Sequence, residues 1–355
     1  MRVGILTSGG DCQALNATMR GLALTLYRNV KDVEIIGFID GYKGLMYEKY
    51  RKMKPKDFYD ILNVGGSILG NSRCPFKRMR IIENGFDKVK AMKNTYKKLE
   101  LDCLVVLGGN GSIKSANMLS QEGLNVIALP KTIDNDAWGT DYTFGYSSAT
   151  AIATLYLDEI KTTAASHSRV FVIEVMGHKV GHICLSAGIA AGADVILLPE
   201  IPYDIKVVAK KVKETLKDEK NYAIIACAEG AISEADALMK RKDYKAKVLA
   251  RNGRSVAYEV ADELSQEIDA EIRVSCIGHA QRGGHPDSYD REISTRFGVE
   301  GARLIIKKHY GEYVVLQGNH VTHIPLEATA GKLKYVDTEG EIVQSAKLVG
   351  ISFGE

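Results

Sequence analysis

Short strand-like runs, most of them apolar and each stopped by glycine or proline within two residues, recur along almost the whole chain, most followed by a helically spaced segment. Residues 3–7, 33–40, 103–107, 126–129, 170–175, 195–198, 222–228, 272–276 and 313–316 are such runs. Unbroken apolar character belongs to strands covered on both faces, and strands joined through helices run parallel. The expected fold is therefore α/β, with two doubly wound Rossmann-like lobes and an active site in the cleft between them. Ligands in open α/β sheets sit beyond the carboxyl ends of the strands. The loops after the runs are where the chemistry should lie.

The densest of these loops is Pro130-Lys131-Thr132-Ile133-Asp134-Asn135-Asp136. It offers two carboxylates and a threonine hydroxyl within a span of five positions, at the carboxyl end of a strand. Upstream, the run 103–107 ends in Gly108-Gly109-Asn110-Gly111-Ser112. A glycine-lined turn before a helix presents backbone N–H groups to an anion. Each stretch alone has a plain structural reading, since glycines make tight turns and acids cap helices. Together they suit phosphoryl transfer with a hard metal ion.

Composition closes off several other classes. A net charge of +3 is too small to argue for nucleic acid or an anionic membrane as the main partner. No run approaches the roughly 18 apolar residues of a membrane span. The first residues lead directly into a strand and lack a signal-peptide layout. The six cysteines, Cys12, Cys74, Cys103, Cys184, Cys227 and Cys276, are scattered without a C-x-x-C pair. They read as reduced residues of a cytoplasmic protein rather than a disulfide or zinc framework.

The first run ends in Ser8-Gly9-Gly10-Asp11 and a helix over 14–27, with no Walker A lysine and no G-x-G-x-x-G fingerprint. Arg73, Cys74, Pro75, Phe76, Lys77 and Arg78 form a cationic loop with an aromatic ring, suited to a nucleotide or to plain solvation. A helix is expected over 80–99 and another from Lys114. Residues 139–145 read as a boundary after which the alternation restarts. Residues 231–254 read as a charged surface excursion, and the helix 287–307 with the strand 313–316 as the end of the second alternation. The tail from Pro325 carries no clear signal.

Seven motifs in this order resemble the phosphofructokinase family: Ser8 to Asp11, Asp40-Gly41-Tyr42, Gly108 to Ser112, Pro130 to Asp136, Gly139 to Thr143, Glu174-Val175-Met176-Gly177 and Gly278 to Gly284. The resemblance covers roughly residues 1–316. It implies a phosphoryl-donor lobe of residues 1–145 plus 281–331 and a sugar-phosphate lobe of 146–280 plus 332–355. The implied reaction moves a phosphoryl group from ATP, with Mg2+, to the 1-hydroxyl of fructose 6-phosphate. Asp134 matches the general base, Asp136 a magnesium-holding carboxylate and Thr132 a residue orienting the sugar or the transferring phosphate. Gly10, Tyr42, Arg73, Cys74, Arg78, Gly109, Gly111 and Ser112 match the donor side. Met176, Gly177, Glu229, His279 and Arg282 match the sugar-phosphate pocket. Arg169 and Arg273 match arginines that reach a neighbouring subunit's site, which implies a homodimer or homotetramer.

The chain departs from the family pattern at three places. Asn110 stands where most members have a metal-contacting aspartate, so its amide oxygen would take the metal side with one charge fewer. His178 stands where bacterial ATP enzymes have an arginine that steadies the transferring phosphate, and Lys179 next to it substitutes in part. At the donor, Gly111 leaves open the space that an aspartate closes in pyrophosphate-using members. Lys131, by contrast, is the pyrophosphate-type residue. A steric block is harder to evade than an extra cation, so ATP is expected ahead of pyrophosphate. Arg20, Lys161 and Asp194 fall near the family's effector positions, but Leu24 replaces one cation there, and weak or absent effector control is expected. Two rival readings stay open: an NAD or lipid kinase, which lacks the motifs 130–136 and 278–284, and a non-catalytic sugar-phosphate-binding subunit.

Overall fold

The computed structural model describes residues 1–218, 220–329 and 331–355. Among these the chain forms eleven strands: β1 (Arg2–Ser8), β2 (Glu34–Phe38), β3 (Tyr50–Met53), β4 (Cys103–Gly108), β5 (Val126–Pro130), β6 (Val170–Val175), β7 (Val195–Leu197), β8 (Ala223–Ala228), β9 (Ile272–Cys276), β10 (Glu312–Gln317) and β11 (His320–Pro325). They belong to two compact units, Met1–Ser148 with Arg282–Lys334, and Ala149–Gln281 with Tyr335–Glu355.

The first unit is built on a seven-stranded sheet in the order β11-β10-β5-β4-β1-β2-β3. Its five inner strands run parallel, and β3 and β11 close the two edges antiparallel. Every residue of β4 and β5 is buried, as unbroken apolar runs require. The edge strands escape a reading of apolar runs. Three of the four residues of β3 are exposed, and β11 carries His320 and His323. Polar and charged side chains on an edge strand keep it in water and discourage pairing with other chains.

Residues 287–317 belong to this first unit and not to the second alternation, a correction with a steric cause. The helix Ser288–Ile306 packs backbone to backbone on the helix Leu15–Asn29. A Cβ placed on Gly298 would lie 2.4 Å from the Thr18 carbonyl oxygen, and one on Gly21 would lie 2.7 Å from that of Thr295. Glycine at both positions lets the helices approach this closely. Asp287 caps the second helix by accepting from the Asp290 N–H at 2.7 Å. Asp290, fully buried, accepts from Gly145 N–H at 2.9 Å and from Ser148 N–H at 2.9 Å. Burial pushes its carboxyl up to about 6.

The second unit holds a four-stranded parallel sheet, β7-β8-β6-β9, so the two units share a class of architecture but not a size. All six residues of β8 are buried, and the helices Ile205–Asp218 and Val256–Leu264 cover the sheet. The charged stretch 231–254 is helical at Glu234–Ala237 and Arg241–Ala250. No residue of the longer helix is buried, which explains its missing apolar period. Ion pairs hold it instead, Lys247 to Asp236 at 2.6 Å and Arg251 to Glu259 at 2.6 Å. The tail adds the helix Glu341–Leu348.

Two helix starts also differ from expectation. The polar helix begins at Lys88, because Asn84 (φ 50°) and Gly85 (φ 77°) turn the chain left-handed and Asp87 caps the helix. The helix expected from Lys114 begins at Asn110, directly after β4 and one residue. No helix among the described residues is long and apolar enough to cross a membrane.

Gly298→Ala should cost about 1–3 kcal/mol through overpacking at the helix crossing. A denaturation midpoint equal to that of the parent would refute the backbone contact. A second expectation concerns the thiols. Burial pushes Cys12 up to about 12 and raises Cys103, Cys184 and Cys227, whereas Cys276 is exposed and Cys74 half-buried. Iodoacetamide at pH 8 should label Cys276 first and Cys74 second, with the other four reacting only after unfolding. Mass spectrometry showing early label on Cys12 would contradict this packing.

Candidate active site

Three strand ends in the first unit stop at one level. In the sheet register Ser8 pairs with Gly108, and Gly108 with Pro130. The loops that follow therefore start side by side, about 4.8 Å apart. After β1, Gly9 turns with φ 91° and its N–H donates to the Ser72 carbonyl at 3.1 Å. After β4, Gly109 is the N-cap of the helix Asn110–Gln121, with no side-chain cap and no acid in the first turn. The helix start thus keeps its partial positive charge for an outside anion. Tyr42, fully buried, donates its hydroxyl to the Ser112 carbonyl at 2.8 Å and fixes the turn from beneath. A Cβ on Gly111 would meet nothing within 4 Å, so open space adjoins that glycine.

Two cations flank Gly10. The buried Lys131 ammonium donates to the Gly10 carbonyl. Burial lowers its pKa most, the nearby Arg282 lowers it further, and Cys12, Asp134 and Asp11 oppose the shift. Arg282 donates from Nη1 to the Asp11 carbonyl at 3.0 Å and would lie 2.7 Å from a Cβ on Gly10. Asp11, which the motif reading included but assigned no role, thus supplies the carbonyl that orients this guanidinium.

The acid loop adjoins this cradle, since a Cβ on Gly109 would sit 3.3 Å from the Lys131 carbonyl and 3.9 Å from Thr132 Cβ. Asn135 takes φ 54°, and Thr143 donates to the Thr132 carbonyl at 2.8 Å. The Asp134 N–H donates to Thr132 Oγ1 at 3.1 Å. Asp136 and Thr132 are buried and Asp134 is half-buried. The tail, which carries no clear motif, meets both loops. Asn110 Nδ2 donates to the Lys332 carbonyl at 2.8 Å, and the Lys334 N–H to the Asp136 carbonyl at 2.9 Å. Among the described residues no three His, Cys, Asp or Glu side chains gather as a metal cage.

The cationic loop lies in the same unit. Arg73, Cys74 and Arg78 line a hollow of about 150 Å³ together with Lys43, Tyr47 and Lys88. Tyr47 stacks on Phe86 with centroids 5.2 Å apart.

In the second unit Met176, Gly177 and His178 follow β6, Glu229 follows β8, and His279 follows β9. Glu229 Oε1 accepts from the N–H groups of Gly177 at 3.1 Å and His178 at 2.5 Å. The exposed His178 is thereby held at φ 54°. Arg169 and Arg273 share the carboxylate of Glu271, Arg169 at 2.8 Å. They stand at the amino ends of β6 and β9, where Phe171 pairs with Arg273. The six-residue β6 spans about 20 Å, so the two arginines and Glu229 sit at opposite ends of the sheet. Arg282 belongs to the first unit, whereas His279 belongs to the second. Asp194, near the effector positions, is buried and accepts from Lys220 at 2.9 Å and the Ile224 N–H at 2.9 Å.

Residues 2–305 match the family model described as Phosphofructokinase. A curated relative from Spirochaeta thermophila, an ATP-dependent 6-phosphofructokinase, is 47% identical over 99% of this chain and 97% of its own. One from Bacteroides thetaiotaomicron, ATP-dependent 6-phosphofructokinase 3, is 42% identical over the full length of both. Among solved structures, phosphofructokinase from Saccharomyces cerevisiae superposes with a TM-score of 0.80 at 28% identity; the match covers 93% of this chain but 45% of the yeast one. A pyrophosphate-dependent phosphofructokinase from Nitrosospira multiformis shares the fold, with a TM-score of 0.81 at 20% identity over 96% of this chain and 87% of its own. The chain belongs to the phosphofructokinase family.

Proposed function

We propose that this chain transfers the γ-phosphoryl group of ATP to the 1-hydroxyl of fructose 6-phosphate. The observation that carries the reading is the contact of the uncapped helix start at Gly109–Asn110 with the acid loop through Lys131 and Thr132. A donor phosphate gripped by those amides lies beside the loop that carries Asp134. Phosphoryl transfer needs positioning and charge neutralisation above all else. In this assignment Asp134 takes the proton from the sugar hydroxyl, and Thr132 orients the reacting groups. Gly10, Tyr42, Gly109, Gly111, Ser112 and Lys131 shape the phosphate cradle. Arg73, Cys74 and Arg78 hold the rest of the donor. Met176, Gly177, His178, Glu229, His279 and Arg282 take the sugar phosphate.

Mg2+ fits the donor set, because it is commonly held by one or two carboxylates plus substrate phosphates and water rather than by a protein cage. Asp136 and the amide oxygen of Asn110 would hold it. When bound, the ion neutralises charge on the donor oxygens. Relatives at 47% and 42% identity that carry ATP in their names support ATP as donor, and so does the open space at Gly111. Pyrophosphate is the second reading, favoured by Lys131, whose buried ammonium faces the Gly10 turn. The placement of Arg169 and Arg273 at the far end of the sheet supports a homodimer or homotetramer in which they serve a neighbouring copy. Six free cysteines suit a reducing, cytoplasmic setting.

A coupled assay of the purified chain with ATP and pyrophosphate side by side should give sugar phosphorylation with ATP at the higher rate. Asp134→Asn should lower kcat about 10²–10⁴-fold with folding intact. Phosphorylation that survives this change would sink the role of Asp134, and no turnover by the parent would leave only a sugar-phosphate-binding subunit. Gly111→Asp should depress the rate with ATP at least tenfold more than the rate with pyrophosphate. An unchanged ratio of the two would remove the steric account of donor choice.

A further inference from the structure

We propose that residues 331–334 strap the cradle helix to the acid loop, and that Lys334 is a positioning residue for phosphoryl transfer. The proposal rests on the function inferred above but concerns a segment to which that function assigns nothing. Four residues reach both loops. The Lys332 carbonyl accepts from Asn110 Nδ2 at 2.8 Å, at the first residue of the cradle helix. Leu333 forms an antiparallel bridge with Ala137, directly after the acids. The Lys334 N–H donates to the Asp136 carbonyl at 2.9 Å. Its ammonium then turns over the loop and donates to the carbonyls of Thr140 and Asp141, both at 2.9 Å. On the outer side the Lys332 ammonium stands 4.1 Å from the centre of the Trp138 ring.

Neither loop can shift alone while these bonds hold. The loop 132–143 contains a left-handed residue, Asn135, and carbonyls that the sheet does not pair. The Lys334 ammonium satisfies two of them at once, and a single charged donor to two carbonyls is stronger than neutral bonds of the same length. The strap therefore sets the separation between the helix start that grips the donor and the acids that face the acceptor. Reaction rates respond steeply to such separations, with about 1 Å of misplacement worth about 10²-fold. Asn110 acquires a purpose in the same scheme. An aspartate in its place has no N–H to give the Lys332 carbonyl, so asparagine is what lets the tail close on the cradle.

The test is Lys334→Met, which keeps the buried stem and removes both ammonium bonds, with Lys334→Arg as the conservative variant. Expected are a fall in kcat of at least tenfold, a KM for fructose 6-phosphate within about twofold of the parent, and substantial recovery in Lys334→Arg. Independently of turnover, hydrogen–deuterium exchange should quicken at least tenfold in residues 137–143 and stay unchanged in β8. Lys334→Gln, a smaller perturbation, carries the same measurements should Lys334→Met not fold. Exchange and kcat at parental values would overturn the strap, as would a loss of activity matched by uniformly faster exchange. A parent chain without kinase activity but with the local exchange change would refute the proposed function and leave the strap standing.

Discussion

The in-register burial of β1, β4 and β5 is the constraint on which the rest depends. All residues of β4 and β5 lack contact with water, and so does nearly all of β1. Their backbone groups must therefore pair with one another. That pairing fixes Ser8, Gly108 and Pro130 abreast. A one-residue slip of β5 would carry its side chains to the opposite face and move Thr132 away from Gly109. The chemistry is thus placed by hydrophobic packing several residues away from it. The loops themselves contribute only the small residues that allow close approach and the polar groups that use it.

Charge in the cradle follows from that geometry. Lys131 sits at the end of a buried strand and must hold its ammonium beneath a glycine turn, at a desolvation cost that the Gly10 carbonyl and neighbouring acids offset in part. Arg282 adds a second cation at the same turn. Two like charges at one glycine turn suit an anionic ligand such as a polyphosphate.

The inner strands were legible because two-sided burial writes an unbroken apolar run, as in β4, β5 and β8, every residue of which is buried. What remained illegible had a different physical basis. The edge strand β3 and the helix Arg241–Ala250 are exposed and carry no apolar period. The start of the polar helix depends on two left-handed residues whose effect was outweighed in sequence by the good helix formers after them. The run-by-run alternation left residues 287–317 with the second half, because the glycine contacts that return them to the first join helices far apart in sequence and no local pattern encodes them. The division implied by the resemblance assigns 281–331 to the donor lobe. Of the site, the glycine turns and the acids were legible as strand-end motifs. The tail 331–334 was not, because its role lies in backbone bonds and a lysine stem rather than in any recognisable spacing.

The arginines at the other end of the second sheet bear on how many copies make a working site. Arg169 precedes β6 and Met176 follows it, and a strand cannot fold back to bring both to one ligand. Glu271 holds Arg169 and Arg273 together, one negative charge against two positive, which leaves a net positive edge that is partly exposed. Such an edge has no use for its surplus within its own sheet. In the proposed assembly a symmetric neighbour would give it one, because a two-fold axis would present the same edge to the other copy's carboxyl-end loops in return. The sugar phosphate is a dianion, and an arginine pair already paired with one carboxylate can lend it charge without being buried alone. In the proposed homodimer or homotetramer, the carboxyl-end loop that Glu229 braces would come from one copy and Arg169 with Arg273 from the next.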